Sequence, residues 1–466
     1  MSKESPGQAP PLAEFDSAVL NRARRVLGLG EAQARLLPPR VELLWRKDNF
    51  AADIPFTNAM LLPADTADIG LLYESVARVV DRHEALRTRL AVKDGRAMQV
   101  AEAWKAPPFE RTRVRREDLT DTRPGQSSAV VEFTQGTLDL YAQDGFRCQV
   151  FEDEEGNLTL GVLAHGFFAD AWSSQTLLRE IRAARTAMAE GGAFSPPPVP
   201  QYADYAGALR LSLEEGLADH LGYWRRKLAG MPPARLPRDR DGDTTRRGRS
   251  FFFLGQDIAK RLTAIAQVHR VSLMIVLLAA YQLTLARWSG RKEILSAAYT
   301  ADRVKPQFHN TIGLLVTNMP VPSRIDPGMD LGAFLLQLSR EYYDGYAHRE
   351  LSCELYEAIF APETPFCASV FNFVPMQRNF SDQDPFAVPA FDGIIATPDA
   401  ARPAIYREIY LGLSQHPNGI LGKVFCNAGH FSPDAIAGFI GHFRDVIDRI
   451  ASGATLRTKD IVEPVR

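Results

Sequence analysis

The segment that most limits how this chain can fold is Leu163-Ala-His-Gly-Phe-Phe-Ala-Asp-Ala-Trp-Ser173. Upstream, Asn157 to Ala164 is a short apolar run that reads as a buried strand. Downstream, Trp172, Leu177, Leu178 and Ile181 fall at helical spacing in a run that reaches Met188. A strand that ends near His165 and a helix that begins near Trp172 place His165 and Asp170 in the connection between them. Such connections carry chemistry in α/β folds, because the strand fixes the position of a loop that solvent and ligands can reach.

The chain has 466 residues, enough for two or three domains. Lys plus Arg number 54 and Asp plus Glu 56, a formal net charge of -2. That balance leaves no electrostatic footprint for nucleic acid or for an anionic membrane. Cys148, Cys353, Cys367 and Cys426 have neither CxxC nor metal-ligand spacing. They read as free thiols of a reducing cytoplasm, with no metal expected. Residues 1–11 lack the apolar core of a signal peptide and read as a leader. Val271 to Ala280, the most apolar segment, is too short to cross a bilayer and is expected to be a core helix.

Periodicity divides the rest. Leu12 to Leu36 reads as a helical preface, and Pro55 to Leu62 alternates like a strand. Ile69 to His83 is amphipathic, with Leu72, Val76, Val79 and Val80 on one face. His83 at its end suits the helix dipole and is expected to pair with Glu84 or a carbonyl. Leu86 to Val100 reads as a hairpin around Lys93-Asp94-Gly95, and residues 105–130 as a surface connection. Phe146 to Phe151 and Leu158 to Ala164 read as paired strands around the acidic turn Glu152 to Asn157. Gly191 to Pro200 is a proline-rich linker. Beyond it come helices at Ile258–Val268 and Leu273–Ser289, the second with Ser272 as N-cap and Gly290 as stop. Glu293–Thr300 and Ala368–Val374 read as strands, Leu331–His348 as a helix and Pro375–Ala396 as a long loop. Tyr406–Leu413 and Gly419–Asn427 read as a strand pair, and Ser432–Ala451 as a closing helix. The expected division is a leader and helix over 1–36, a first lobe over 37–190, a linker over 191–200 and a second lobe over 201–466.

Several strings then line up with one family. Arg82-His83-Glu84-Ala85-Leu86-Arg87-Thr88, Gln201-Tyr202-Ala203-Asp204-Tyr205, Tyr223-Trp224 with Leu228 and Gly230, Leu236-Pro237-Arg238-Asp239-Arg240, and Ile312-Gly313 followed by Thr317-Asn318 occur in that order. The segment at His165 is similar to the motif His-His-x-x-x-Asp-Gly, followed by Trp-Ser. His165 matches the first His, Asp170 the Asp, and Trp172-Ser173 the Trp-Ser, while Gly166 stands at the second His and Ala171 at the final Gly. Together these strings resemble the condensation domains of nonribosomal peptide synthetases, over about Leu43 to Ile450. The resemblance implies a two-lobed α/β (α+β) fold like that of chloramphenicol acetyltransferase, V-shaped with a central tunnel. It implies an Asp170–Arg303 salt bridge and a motif core of His165, Gly166 and Asp170. Trp172, Ser173, either Thr317 or Asn318, His348 and Asn372 are the implied substrate contacts. No bound cofactor is implied. Substrates would arrive on the phosphopantetheine of a separate acyl or peptidyl carrier protein and meet a small-molecule amine or alcohol acceptor. No adenylation, carrier or thioesterase segment is present, so a freestanding member is expected.

Joining an amine to a thioester requires that the amine lose a proton and that the tetrahedral oxyanion be stabilised. The family's second His, facing the substrates, is absent here. His165 lies five residues before Asp170 and matches the first, structural His, whose side chain points to the other side of the strand end. Gly166 either marks a lost catalytic group or makes room for substrate, and its backbone freedom would permit a shifted loop. His309, Asn318, Tyr346, His348 and Glu350 are alternative bases by their place in matched strings. Two functions follow. One is an atypical condensation-type enzyme forming an amide or ester, or cyclising, without the usual His. The other is a non-catalytic relative that binds a carrier protein or recruits a tailoring enzyme.

Overall fold

The computed structural model describes residues 17–29, 35–48, 57–64, 66–105, 109–120, 128–134, 136–142, 145–232, 234–242, 246–360, 367–375, 394–401, 408–453 and 456–463. The expected leader, and most of the expected loop from Pro375 to Ala396, lie outside the described residues.

The first sheet contains β1 (Thr57–Pro63), β4 (Arg111–Arg113), β5 (Phe146–Glu152) and β6 (Leu158–His165), in the order β1-β6-β5-β4. β6 runs antiparallel to both β1 and β5. Between β1 and β4 the chain makes the hairpin β2 (Thr88–Lys93) and β3 (Arg96–Ala101). Its turn has positive φ at Asp94 (51°) and Gly95 (71°), the backbone that Asp-Gly adopts readily. Helices Ile69–Arg82 and Ala171–Ala189 pack together beside this sheet, and Val79 and Ile181 are almost fully buried.

The second sheet holds β7 (Arg246–Gly255), β8 (Glu293–Ala301), β9 (Val316–Arg324), β10 (Ser369–Val374), β11 (Ile394–Ala401), β12 (Ile409–His416) and β13 (Gly419–Asn427). Their order is β11-β7-β13-β12-β10-β8-β9. β10 is parallel to both neighbours, and the remaining pairs are antiparallel. Helix Leu273–Ser289 packs against Pro433–Ala451. It is apolar on every side and buried from Ile275 to Ala286, as such a helix must be. Ser272 accepts a hydrogen bond from the Ile275 N–H at 3.3 Å, and Gly290 ends the helix at φ 68°. Among the described residues no single helix is long and apolar enough to cross a membrane.

Three findings differ from the sequence reading. Arg111–Arg113, inside the expected surface connection, is a strand parallel to β5, tied by an Arg111–Glu152 ion pair at 2.9 Å. Three residues are too few to show a period. Ile394 to Ala396, read as loop, belong to β11, which pairs with β7. The third is His83, whose partner is neither Glu84 nor a carbonyl but Glu180, with Nε2 2.8 Å from Oε2. Burial pushes the Glu180 carboxyl up, and His83 with Arg82 more than offsets this, leaving it below the usual range. Residues 192–200 carry no helix or strand, yet one continuous buried cluster runs through both sheets, from Ala23 to Ile461.

The matched strings are the joints of this core. Gln201 Nε2 donates to the Arg82 carbonyl and Gln201 Oε1 accepts from the Glu84 N–H, so two of the strings bind each other. Tyr205 donates to Asp302 at 2.9 Å, and the Trp224 indole donates to the His348 carbonyl at 3.1 Å. Helix Pro39–Asp48, expected in the first lobe, reaches across to the second. Arg40 binds Glu354 at 3.2 Å and the Tyr299 hydroxyl at 3.0 Å, and Glu42 accepts from Arg210 at 2.8 Å.

Candidate active site

β6 ends at His165, Gly166 to Phe168 form a turn, and Asp170 caps the helix that follows. Asp170 has extended backbone and its Oδ1 accepts the Ser173 N–H at 2.7 Å, satisfying a donor that the first helical turn leaves free. The other contacts of this carboxylate come from far along the chain. Arg303 Nη2 reaches both oxygens, at 3.0 and 3.1 Å, and the Leu315 N–H reaches Oδ2 at 2.9 Å. Ser173 is fully buried. Its hydroxyl donates to the Gly313 carbonyl at 2.8 Å and accepts from Arg303 at 2.9 Å and from the Gly313 N–H at 3.0 Å. Arg303 Nη1 in turn donates to the carbonyls of Phe308 and Thr311. The expected Asp170–Arg303 bridge is therefore present and is the centre of a clamp between the motif loop and residues 308–315. Gly313 is required there, because a Cβ on it would sit 2.2 Å from the Tyr202 ring. From the other side, Asn58 donates to the Ala169 carbonyl at 2.6 Å.

His165 is 4% exposed. Its Nδ1 accepts the Phe167 N–H at 3.1 Å, which places the ring proton on Nε2. Burial pushes its pKa down to about 3. A ring in this state holds the turn together and is a poor proton acceptor at neutral pH. Gly166 is buried and is not among the described glycines with positive φ, so the backbone there is one that other residues can adopt. This corrects the reading in which glycine's backbone freedom shifts the loop.

The remaining expected contacts divide. Trp172 is at the clamp, 38% exposed, its indole donating to the His309 carbonyl at 3.0 Å with the Arg303 guanidinium 5.7 Å from its ring centre. The exposed His309 is the one alternative base that the fold brings beside the motif. Thr317 and Asn318 are both buried. The Thr317 hydroxyl donates to the Arg349 carbonyl at 3.2 Å, and the Asn318 amide donates to Glu354 at 2.7 Å within the Arg40 network. Asn372 donates to the Tyr410 hydroxyl at 2.9 Å. Tyr346 donates to the Ala301 carbonyl. His348 stacks on Tyr223 and Glu350 accepts from Ser212, a separate cluster from the Asp170 clamp. Sequence reasoning missed the Arg40–Glu354 pair and the 308–315 backbone. Two signals were available: Ile312-Gly313 belongs to a matched string, and Glu354 ends the one that begins at His348.

Solved structures with this fold include the X-domain in its complex with OxyB from teicoplanin biosynthesis. The TM-score is 0.71 at 19% identity, covering 95% of this chain and 98% of that one. The condensation domain of the monacolin K polyketide synthase MokA gives a TM-score of 0.74, also at 19% identity, covering 91% and 99%. Among curated proteins, phosphinothricin tripeptide synthetase PhsC of Streptomyces viridochromogenes is 28% identical over 287 residues, which is 60% of this chain. The chain spans 26% of the length of that relative. The family model for the condensation domain matches residues 51–463, and with the two-sheet fold and the Asp170–Arg303 clamp in place, the chain belongs to the condensation-domain family.

Proposed function

We propose that this chain serves nonribosomal peptide or related biosynthesis as a condensation-type domain that binds a carrier protein or recruits a tailoring enzyme, with no motif imidazole acting as base. The observation that carries this reading is the state of the motif. His165 is buried and neutral with Nδ1 occupied, Asp170 accepts from Arg303 and two N–H groups, and Gly166 has no side chain. An amine attacking a thioester must lose a proton, and none of these groups is placed to take it. The X-domain bound to OxyB is an example of this fold in complex with a second protein. Substrates or partners would be presented by a carrier protein bearing phosphopantetheine.

The intact clamp favours a second reading, acyl transfer by positioning alone. Asn58, Ser173 and Arg303 hold the motif loop rigidly, and holding two reactants in register can supply about 7–11 kcal/mol of a barrier. The products would be an amide or ester, or a cyclised chain. Incubation with loaded carrier proteins and candidate amines, read by mass spectrometry, separates the two. The first reading expects carrier binding by calorimetry with no product above background, and product gained in Gly166→His. Turnover by the native chain that disappears in Asp170→Asn sinks it and establishes the second.

A further inference from the structure

His348, expected among the substrate contacts, sits elsewhere. It lies in the turn after helix Leu331–Tyr346 and stacks on Tyr223 with ring centres 3.9 Å apart. Its Nδ1 faces Nδ1 of His220, on helix Leu217–Lys227, at 3.1 Å. Asp219 Oδ2 is 3.5 Å from the same His348 nitrogen, and the three atoms lie within 4.8 Å of one another. Behind His220, its Nε2 faces Glu350 Oε2 at 3.7 Å, while Glu350 Oε1 accepts from Ser212 at 3.0 Å. Glu350 Oε2 is buried and has no hydrogen bond.

A carboxylate in that place keeps the His220 proton on Nε2, so the Nδ1 lone pair points at His348. His348 Nδ1 then faces two acceptors with one proton when neutral. In the His348 tautomer with its proton on Nε2, the lone pairs of Asp219, His220 and His348 converge on one point. With metal–ligand bonds of about 2.0–2.1 Å, the ligand atoms of a tetrahedral site are separated by about 3.3 Å. The observed 3.1 and 3.5 Å bracket that edge.

We propose that Asp219, His220 and His348 form a site for a divalent transition-metal ion of the zinc(II) type, bound through Oδ2, Nδ1 and Nδ1, with Glu350 orienting His220. The ligands are borderline nitrogen and oxygen donors, which suit zinc. The Asp219 side chain is 56% exposed, so the ion has an entry path and a fourth position open to water. Arg226, whose charge also lowers the His348 pKa, is the group that opposes a cation here. The ion ties helix Leu217–Lys227 to the turn that carries Arg349, and Arg349 pairs with Asp302 at 2.7 Å, next to Arg303 of the clamp.

The test uses the full chain without an affinity tag, stripped with a chelator and dialysed against zinc(II) or cobalt(II). A single zinc ion per chain, visible absorption of four-coordinate cobalt(II) without thiolate charge transfer, and a higher melting temperature with zinc are expected. Glu350→Gln is expected to weaken binding about 10–100-fold, and His220→Ala and His348→Phe by more than that. Asp219→Asn alters an exposed side chain and carries the same expectation if either histidine variant fails to fold. Zinc well below one ion per chain, equal binding by native and Asp219→Asn chains, or thiolate bands that move the metal to Cys353 and Cys367 overturns the proposal.

Discussion

The Asp170 clamp and the His220–His348 cluster are both built from carboxylates and imidazole or guanidinium groups, and they are finished to different degrees. At the clamp the carboxylate oxygens meet Arg303, the Ser173 N–H and the Leu315 N–H, and the side chains of Asp170 and Arg303 are each 2% exposed. At the cluster two ring nitrogens face each other with the half-exposed Asp219 beside them, and Glu350 Oε2 stands 3.7 Å from His220 Nε2, beyond hydrogen-bond distance. Satisfied buried charge fixes a conformation, whereas lone pairs left converging are what a ligand can use. The clamp at the family motif ties the motif loop to residues 308–315, and the proposed metal site lies apart from it.

The largest test of that contrast is Arg303→Leu. Removing one partner strands the Asp170 charge and is expected to cost about 3–5 kcal/mol in urea unfolding. A cost under about 1 kcal/mol would mean that the clamp is not the joint between the sheets. Next is the pH dependence at His165. Its pKa is depressed from 6.5 to about 3 in the folded chain, so below pH 6.5 the unfolded chain binds the extra proton. Stability contributed by the neutral ring is therefore complete above that pH and falls by about 1.4 kcal/mol per pH unit as pH drops toward 3. His165→Asn, which keeps an acceptor for the Phe167 N–H, is expected to show a shallower loss over this range. Parallel curves for the two proteins would remove the buried neutral ring from the account.

Asp68→Ala calibrates the scale away from both regions. Asp68 Oδ1 accepts the Leu71 N–H at 3.0 Å, and losing this cap is expected to cost about 1 kcal/mol. Smallest is His348→Phe in chelated protein. The ring still stacks on Tyr223, and the expected change is about 0.5 kcal/mol. A cost as large as that of Arg303→Leu would make the cluster a structural joint too and erase the contrast.

Local signals in the chain were read well where neighbouring residues decide the outcome. Asp94-Gly95 makes the turn of β2 and β3, and Ser272 and Gly290 bound their helix. Where the partner is distant the reading weakened. Its place at a helix end points His83 to Glu84 or a carbonyl, yet it pairs with Glu180, held opposite it by the packing of two helices. Arg111–Arg113 becomes a strand only because β5 offers an edge.

The sequence by itself therefore determined the order of the main strands and helices, because period and capping are written in adjacent residues, and its matched strings carried the resemblance that implied the family and the Asp170–Arg303 pair. Tertiary structure alone decided that His165 is buried with its Nδ1 occupied, that Asn318 turns to Glu354, and that His348 meets His220. Those outcomes depend on burial and on contacts between residues far apart in the chain. Spacing along a sequence carries no information about the solvent or the lone pair that a folded side chain will face.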